Sequence, residues 1–270
     1  MNAIPVALTI AGSDCSAGAG IQADLKTFQH FRVHGLTAVT CVVSETANIV
    51  RAVHAVPVEI VRDQVALMME SFPVAAVKTG MLFSAAHVAA VADILKNFPK
   101  VPLVVDPVMV ASTGASLLED DAVAAYQELL LPLARVITPN LPEAEVLLGR
   151  TIGHDLESAA RELYTRLGVA VLLKGGHLNS DECVDLLVDG DGVHRFSARR
   201  IAVAGSHGTG CTLSAAVAAR LALGDALPQA VETAKAYLCE TLRHSHSFIS
   251  TAEKPVHALN QGTTLAKNGA

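Results

Sequence analysis

The chain lacks the features of several common protein classes. Its five cysteines are scattered, with no C-x-x-C pair and no metal-binding spacing to histidine, which argues against a disulfide framework or a zinc site. The net charge is −6 and no basic cluster is present, which argues against a nucleic-acid partner. No apolar run is long enough to span a bilayer. We therefore expect a cytoplasmic protein with neither a nucleic-acid nor a membrane partner.

What the chain does have is the pattern of an α/β protein. The N-terminal MNAIPVALTIAGSD has no basic region before its apolar run, so it predicts a first strand and no signal peptide. Short runs of Val, Ile and Leu alternate with helical patterns, which predicts a doubly wound, mostly parallel sheet with helices on both faces, in three layers. The predicted strands are 6–11, 37–44, 75–78, 103–106, 135–138 and 169–174. The predicted helices are 22–31, 58–71, 85–97, 120–130, 143–148 and 156–167.

The last third of the chain changes pattern. Residues 184–196, VDLLVDGDGVHRF, place Asp-Gly turn residues between two strand-like runs and predict a hairpin. Helices are predicted at 209–223 and 228–245. With no linker or repeat, we expect residues 1–250 to form one domain and residues 251–270 to be a weakly structured tail.

The segment GSHGTGCTLSAA is the most informative motif. Gly208, Thr209 and Gly210 form a glycine-rich turn that opens a helix, and such a turn presents free backbone amides to negative charge. A phosphoryl group in transfer fits this site. Cys211 follows, where the helix field favours its thiolate. The alternative is a helix start whose glycines only permit close packing.

A second glycine-rich segment follows the first strand. Residues 18–23, GAGIQA, match G-x-G-x-x-A, and Glu45 closes the second strand where a ribose-binding acid would lie, so a Rossmann dehydrogenase is one alternative. The glycines begin too far beyond the strand for that fingerprint. A glycine-lined substrate loop explains them better.

Other strands also end in polar residues, and carboxyl ends of parallel strands meet at one edge, where ligands bind. Asn140 and Glu143 offer oxygen ligands for Mg²⁺, although their spacing also fits a helix capping box, which the spacing alone slightly favours. Lys174 can meet phosphate oxygens or be merely solvated. Residues 111–114, ASTG, form a small-residue loop able to close over a ligand.

These motifs together resemble a known family. AGSDCSAGAGIQADLKTF, KTGML, DPVM, TPNLPEAE, LLKGGH and HGTGCTLSAA, in this order from about residue 6 to 242, are similar to the hydroxymethylpyrimidine kinase/phosphomethylpyrimidine kinases of thiamine biosynthesis. The resemblance implies a ribokinase-like fold, an ATP site, Mg²⁺ and a homodimer. It also implies successive phosphoryl transfers to 4-amino-5-hydroxymethyl-2-methylpyrimidine and to its monophosphate. The absence of a Walker A motif agrees with this family.

The resemblance also implies roles for individual residues. The turn residues donate amides to the transferred phosphoryl group, and Cys211 accepts the hydroxyl proton. His207 and His177 have no assigned ligand role. The residues implied at the nucleotide and magnesium are Lys174, Asp106, Asn140 and Glu143. The residues implied around the pyrimidine are Gly12, Asp24, Val43, Glu45 and Met81.

The chain departs from the family after its second strand. Members usually read AQNT there, whereas this chain reads SETA, so Glu45 replaces a glutamine that faces the pyrimidine. The ASTG loop also lacks a lysine that is often present. Both departures concern the acceptor. The alternatives are therefore a pyridoxal or related heteroaromatic-alcohol kinase, or a binding or regulatory protein that has kept the fold.

Overall fold

The computed structural model describes residues 4–109, 120–176, 181–203, 205–249 and 255–262. Their main feature is a nine-stranded sheet in the order β3-β2-β1-β4-β5-β6-β7-β8-β9. The six central strands, β2, β1, β4, β5, β6 and β7, are parallel. Antiparallel strands are added at the two edges, β3 beside β2 and β8 with β9 beside β7. The strands are β1 (Val6–Asp14), β2 (His34–Thr46), β3 (Ile49–Ala55), β4 (Val74–Thr79), β5 (Leu103–Val105), β6 (Val136–Ile137), β7 (Ala170–Leu173), β8 (Glu182–Asp189) and β9 (Gly192–Arg199).

Helices cover both faces of this sheet. One buried apolar cluster packs α1, α7 and α8 against one face, and a second packs α2 to α6 against the other. The helices are α1 (Gly20–His30), α2 (Val58–Ser71), α3 (Ala85–Leu95), α4 (Asp120–Ala125), α5 (Leu141–Leu148), α6 (Leu156–Leu167), α7 (Thr209–Ala222) and α8 (Leu227–Arg243). A π-helical turn, Tyr126–Leu130, continues α4. The predicted three-layer α/β fold is confirmed.

The structure differs from the sequence prediction at two places. Strand β3 was not predicted, because its residues are mostly exposed and lack the continuous apolar run of the parallel strands. The expected weakly structured tail instead contains a strand, β11 (Val256–Ala258), paired with β10 (His246–Phe248). Beyond it, Leu259 and Gln261 are buried. Long-range packing orders these residues.

Among the described residues, no helix combines the length and apolar character needed to cross a membrane. The predicted hairpin is confirmed as β8 and β9. The carboxyl ends of the parallel strands form one edge of the sheet, and the N-terminus of α7 lies over it.

Candidate active site

The glycine-rich turn at the start of α7, residues 208–211, is called the phosphate turn below. Gly208 is the N-cap of α7 and has φ of 82°, a left-handed conformation that favours glycine. A Cβ atom on Gly208 would lie 1.9 Å from the Gly18 carbonyl oxygen. A Cβ atom on Gly210 would lie 3.3 Å from Lys174 Nζ and 3.4 Å from Asp106 Oδ2. The glycines therefore let the turn approach a buried charged pair and the loop after β1.

The charged pair beneath the turn is formed by strand ends. Asp106 follows β5, and its Oδ1 accepts hydrogen bonds from Lys174 Nζ at 2.9 Å and Thr138 Oγ1 at 3.1 Å. Its Oδ2 accepts one from Ser214 Oγ of α7 at 3.3 Å. Burial opposes ionisation, but Lys174 and Lys78 hold the pKa of Asp106 below its ordinary value. Asp106 is thus a fixed anion joining three strand ends and α7.

Asn140 and Glu143 do form the capping box that the sequence allowed. Asn140 Oδ1 accepts from the Glu143 amide at 2.9 Å, and Glu143 Oε2 accepts from the Asn140 amide at 2.7 Å. The same Oε2 lies 3.8 Å from Lys174 Nζ. Burial raises the pKa of Glu143 to about 7. Capping and ligand binding are compatible here, since the cap orients the carboxylate toward the Lys174–Asp106 pair.

The part of the chain that the structure describes contains no group of three or more His, Cys, Asp or Glu side chains able to hold a metal ion. Mg²⁺ often needs only one or two protein carboxylates, because phosphate oxygens and water complete its six ligands. Asp106 and Glu143 fit that chemistry. They suit a metal that arrives with a nucleotide better than one bound by protein alone.

A second group of predicted residues lies at the ends of β1, β2 and β4. A Cβ atom on Gly12 would lie 2.8 Å from Cys41 Sγ and 3.8 Å from Met81 Sδ, and the two sulfur atoms are 3.8 Å apart. Cys41, Val43 and Glu45 alternate along β2 on the more buried side. These residues form a largely apolar surface that ends in one carboxylate. We call it the acceptor side.

Asp24 differs from the other predicted pyrimidine-binding residues because it is completely buried. Its oxygens accept hydrogen bonds from Lys78 Nζ at 3.0 and 2.8 Å and from Thr9 Oγ1 at 2.5 Å. The charge of Asp24 outweighs burial and holds the pKa of Lys78 above its ordinary value. The direct contact with substrate implied for Asp24 stays a prediction. In this structure its carboxylate neutralises Lys78.

Cys211 does not have the electrostatic environment that the sequence predicts. Burial raises the pKa of its thiol to about 11, although the charge of Lys78 acts in the opposite direction. The expected stabilisation of the thiolate is therefore wrong for this structure. Desolvation of the thiol disfavours its charged form more than the charge of Lys78 favours it.

Comparisons with known proteins identify the family. The family model described as phosphomethylpyrimidine kinase matches residues 14–257. The chain belongs to this family. A hydroxymethylpyrimidine/phosphomethylpyrimidine kinase of Rhizobium meliloti is 50% identical over 252 residues, covering 92% of each chain. The resemblance found in the motifs is therefore confirmed.

The fold of this phosphomethylpyrimidine kinase family member is also similar to those of solved kinase structures. A Bacillus subtilis pyridoxal kinase, solved as an ADP complex, has a TM-score of 0.85 and 35% identity, covering 96% of this chain and 98% of its own. A Clostridium difficile phosphomethylpyrimidine kinase has a TM-score of 0.77 and 38% identity, covering 87% and 98% respectively. Kinase activity and ATP use follow from family membership, and the binding-protein and dehydrogenase alternatives are set aside.

Several residues of this site were missed by sequence reasoning. Lys78 is the clearest, since a lysine inside the apolar run VAAVKT is a signal for a buried, paired charge. Thr9, Thr138 and Ser214 give no comparable signal, because hydroxyl residues occur at many strand and helix positions. The ASTG loop (111–114) and His177 lie outside the described residues.

Proposed function

We propose that the chain transfers the terminal phosphoryl group of ATP to the hydroxymethyl group of 4-amino-5-hydroxymethyl-2-methylpyrimidine and then to the resulting monophosphate. One observation carries the proposal: the phosphate turn lies directly on the Asp106–Lys174 pair at the sheet edge that also bears the acceptor side. The two phosphorylation steps supply the pyrimidine diphosphate for thiamine synthesis.

On the phosphate side, the amides of Gly208, Thr209 and Gly210 donate to the transferred group at the positive end of α7. Lys174 neutralises phosphate oxygens. Burial disfavours its charged form, but the carboxylates of Asp106 and Glu143 outweigh burial and raise its pKa to about 12, so it stays a cation. Asp106 and Glu143, with Asn140, would hold Mg²⁺ and its waters. When bound, Mg²⁺ offsets the charge that builds up on the phosphate oxygens.

On the acceptor side, Gly12 and Met81 give the pyrimidine close backbone approach and an apolar surface. Val43 and Glu45 bound it along β2, with Asp24 beneath. Cys211 joins the two sides and accepts the hydroxyl proton as the hydroxyl oxygen bonds to the γ-phosphorus of ATP. The bond from that phosphorus to the β,γ-bridging oxygen breaks, and ADP leaves. Its thiol is mostly protonated at neutral pH, so the thiolate that performs this step is a minor form whose fraction rises with pH.

Pyridoxal is a second candidate acceptor. The likeness to the Bacillus subtilis pyridoxal kinase over nearly the whole chain favours it, and Glu45 gives the pyrimidine edge a different partner from the family's usual glutamine. A homodimer and a cytoplasmic location stay predictions, as does the lack of nucleic-acid and membrane partners.

The deciding experiment measures ADP and phosphorylated product with MgATP and a panel of alcohols: the aminopyrimidine, its monophosphate and pyridoxal. We expect product with the aminopyrimidine and its monophosphate and a smaller kcat/KM with pyridoxal. Replacing Mg²⁺ by a chelator in excess should abolish product. A preference for pyridoxal would reverse the two candidates, and no product with any of these alcohols would contradict both.

A further inference from the structure

The loop between β1 and α1, residues 15–19, contacts the acceptor side, because Cys15 Sγ donates to the carbonyl oxygen of Glu45 at 3.2 Å. It is called the acceptor loop here, and the buried carboxylate of Asp14 organises it. Asp14 Oδ1 accepts from the Ser16 amide at 2.7 Å, and its Oδ2 accepts from the amides of Gly18 at 3.1 Å and Ala19 at 2.8 Å. Oδ2 also lies 2.9 Å from Nε2 of His207, which is buried as well. A single side chain thus closes the loop and reaches the residue that precedes the phosphate turn.

The electrostatics support a fixed arrangement. Burial disfavours the charged form of Asp14, but the hydrogen bonds from His207 and the loop amides lower its pKa to about 2. Asp14 is therefore an anion across the neutral range, with its oxygens occupied. Neither the loop nor the turn can move away without leaving a buried carboxylate partly unpaired, which is costly.

The acceptor loop and the phosphate turn also pack directly against each other. A Cβ atom on Gly18 would lie 2.7 Å from His207 Cδ2, and one on Gly208 would lie 1.9 Å from the Gly18 carbonyl oxygen. From the C-terminal segment, Gln261 Nε2 lies 3.5 Å from that oxygen and 3.4 Å from Thr212 Oγ1 of α7. Gly18 is thus held by Asp14, the phosphate turn and the C-terminal segment together.

We propose that Asp14 and His207 are positioning residues that hold the phosphate turn in register with the acceptor loop, and so align the phosphoryl group with the acceptor hydroxyl. The proposal rests on the proposed kinase function. It concerns alignment, since a displacement of about 1 Å between reacting groups can cost about 10²-fold in rate while each substrate still binds. Neither side chain is assigned a contact with the reacting atoms.

Three variants separate alignment from folding. Asp14→Asn removes the charge and sets an amide group against the loop amides. His207→Leu removes the donor to Asp14, whereas His207→Gln supplies a side-chain N–H in its place. We expect Asp14→Asn and His207→Leu to lower kcat about 10²-fold, with the dissociation constant for a non-hydrolysable ATP analogue within a few-fold of wild type. His207→Gln should recover most of kcat.

Product coupling is the second readout. Poor alignment should raise the ratio of ADP formed to acceptor phosphorylated, and the double variant Asp14→Asn/His207→Leu should be no slower than the worse single variant, because the two residues act as one unit. Asp93→Asn is the matched control: its carboxylate is exposed on α3, paired with Arg62 and Lys96, and the variant should keep wild-type coupling.

Other results would overturn the proposal. One is a kcat within a few-fold of wild type in both single variants. Another is a loss of substrate binding equal to the loss of kcat, which indicates a general structural role. The comparison uses whichever alcohol the wild-type protein phosphorylates, so failure of the proposed acceptor appears in the wild type before any variant is compared.

Discussion

The phosphate side and the acceptor side of this site are built in different ways. On the phosphate side, buried Asp106 is paired with partly buried Lys174, and Asp106 has three side-chain partners from two strand ends and α7. On the acceptor side, the lining is apolar and sulfur-rich, and the carboxylate of Glu45 has no hydrogen bond or salt bridge to any described residue. In the proposed mechanism, transfer therefore depends on an interlocked ionic network, whereas choice of acceptor depends on a few loosely constrained groups.

The difference suggests how each side tolerates change. Removing one charge from an interlocked buried network leaves another charge unpaired, which costs several kcal/mol. Removing one contact from an apolar surface costs less and changes affinity more than turnover. Variants of the two sides should therefore separate into kcat effects and KM effects.

The largest effect is expected for Asp106→Asn. The variant leaves Lys174 without its closest carboxylate and removes a proposed Mg²⁺ ligand, so kcat should fall about 10²- to 10³-fold, with weaker ATP binding. Steady-state kinetics at varied ATP and Mg²⁺ measure this loss. Asp225→Asn, which breaks a pair with Arg220 at the other end of α7, is the control and should keep its activity. A kcat and an ATP affinity of Asp106→Asn close to those of wild type would contradict the distinction drawn between the two sides.

Cys211→Ala should produce the next largest effect. Loss of the group that accepts the proton should reduce kcat about 10²-fold, and binding of ATP should change little because the turn amides remain. The wild-type kcat should rise from pH 7 to 9, since the thiol pKa is raised to about 11 and the thiolate fraction grows as pH rises toward that value. The variant should not show this rise.

The matched control is Cys239→Ala, which removes a buried thiol from α8 away from the site. It should preserve both the rate and its pH dependence. Turnover by Cys211→Ala within a few-fold of wild type would mean that the Cys211 thiol is a packing residue only.

Glu45→Gln should have the smallest effect on kcat, since its effect is confined to binding of the acceptor. Burial and the charge of Asp14 raise the pKa of Glu45, and only its neutral acid has both a donor and an acceptor for an aminopyrimidine edge. Binding of the neutral pyrimidine to wild type should weaken as pH rises through this pKa. Glutamine offers the same donor and acceptor at every pH, so the variant should bind about 5- to 150-fold more tightly at alkaline pH.

KM for the acceptor, measured from pH 5 to 9 for both proteins, tests this prediction, and KM for ATP is the internal control. Equal acceptor KM values and equal pH profiles would show that Glu45 does not contact the edge of the substrate. The acceptor side would then have no polar side chain of β2 that selects the acceptor.

Sequence reasoning was most successful where a pattern is local. The parallel strands, the Asp-Gly hairpin and the turn at Gly208 each have a signature within a dozen residues, because strand burial, turn chemistry and helix starts are local constraints. It was less successful at β3 and at residues 255–262. An exposed edge strand has no apolar run, and the hydrogen bonds of Gln261 go to Gly18 and Thr212, which are distant from it in the chain.

The sequence by itself determined the α/β class, the family and the set of polar residues at the strand ends. Only the tertiary structure decided how those residues are paired. It buried Asp24 against Lys78, placed Asp106 under the phosphate turn and joined Asp14 to His207 across a sequence separation of 193 residues. It also reversed the expected pKa of Cys211. The physical reason is that ionisation and hydrogen bonding depend on desolvation and on distances of a few ångströms between distant segments, which no local pattern encodes.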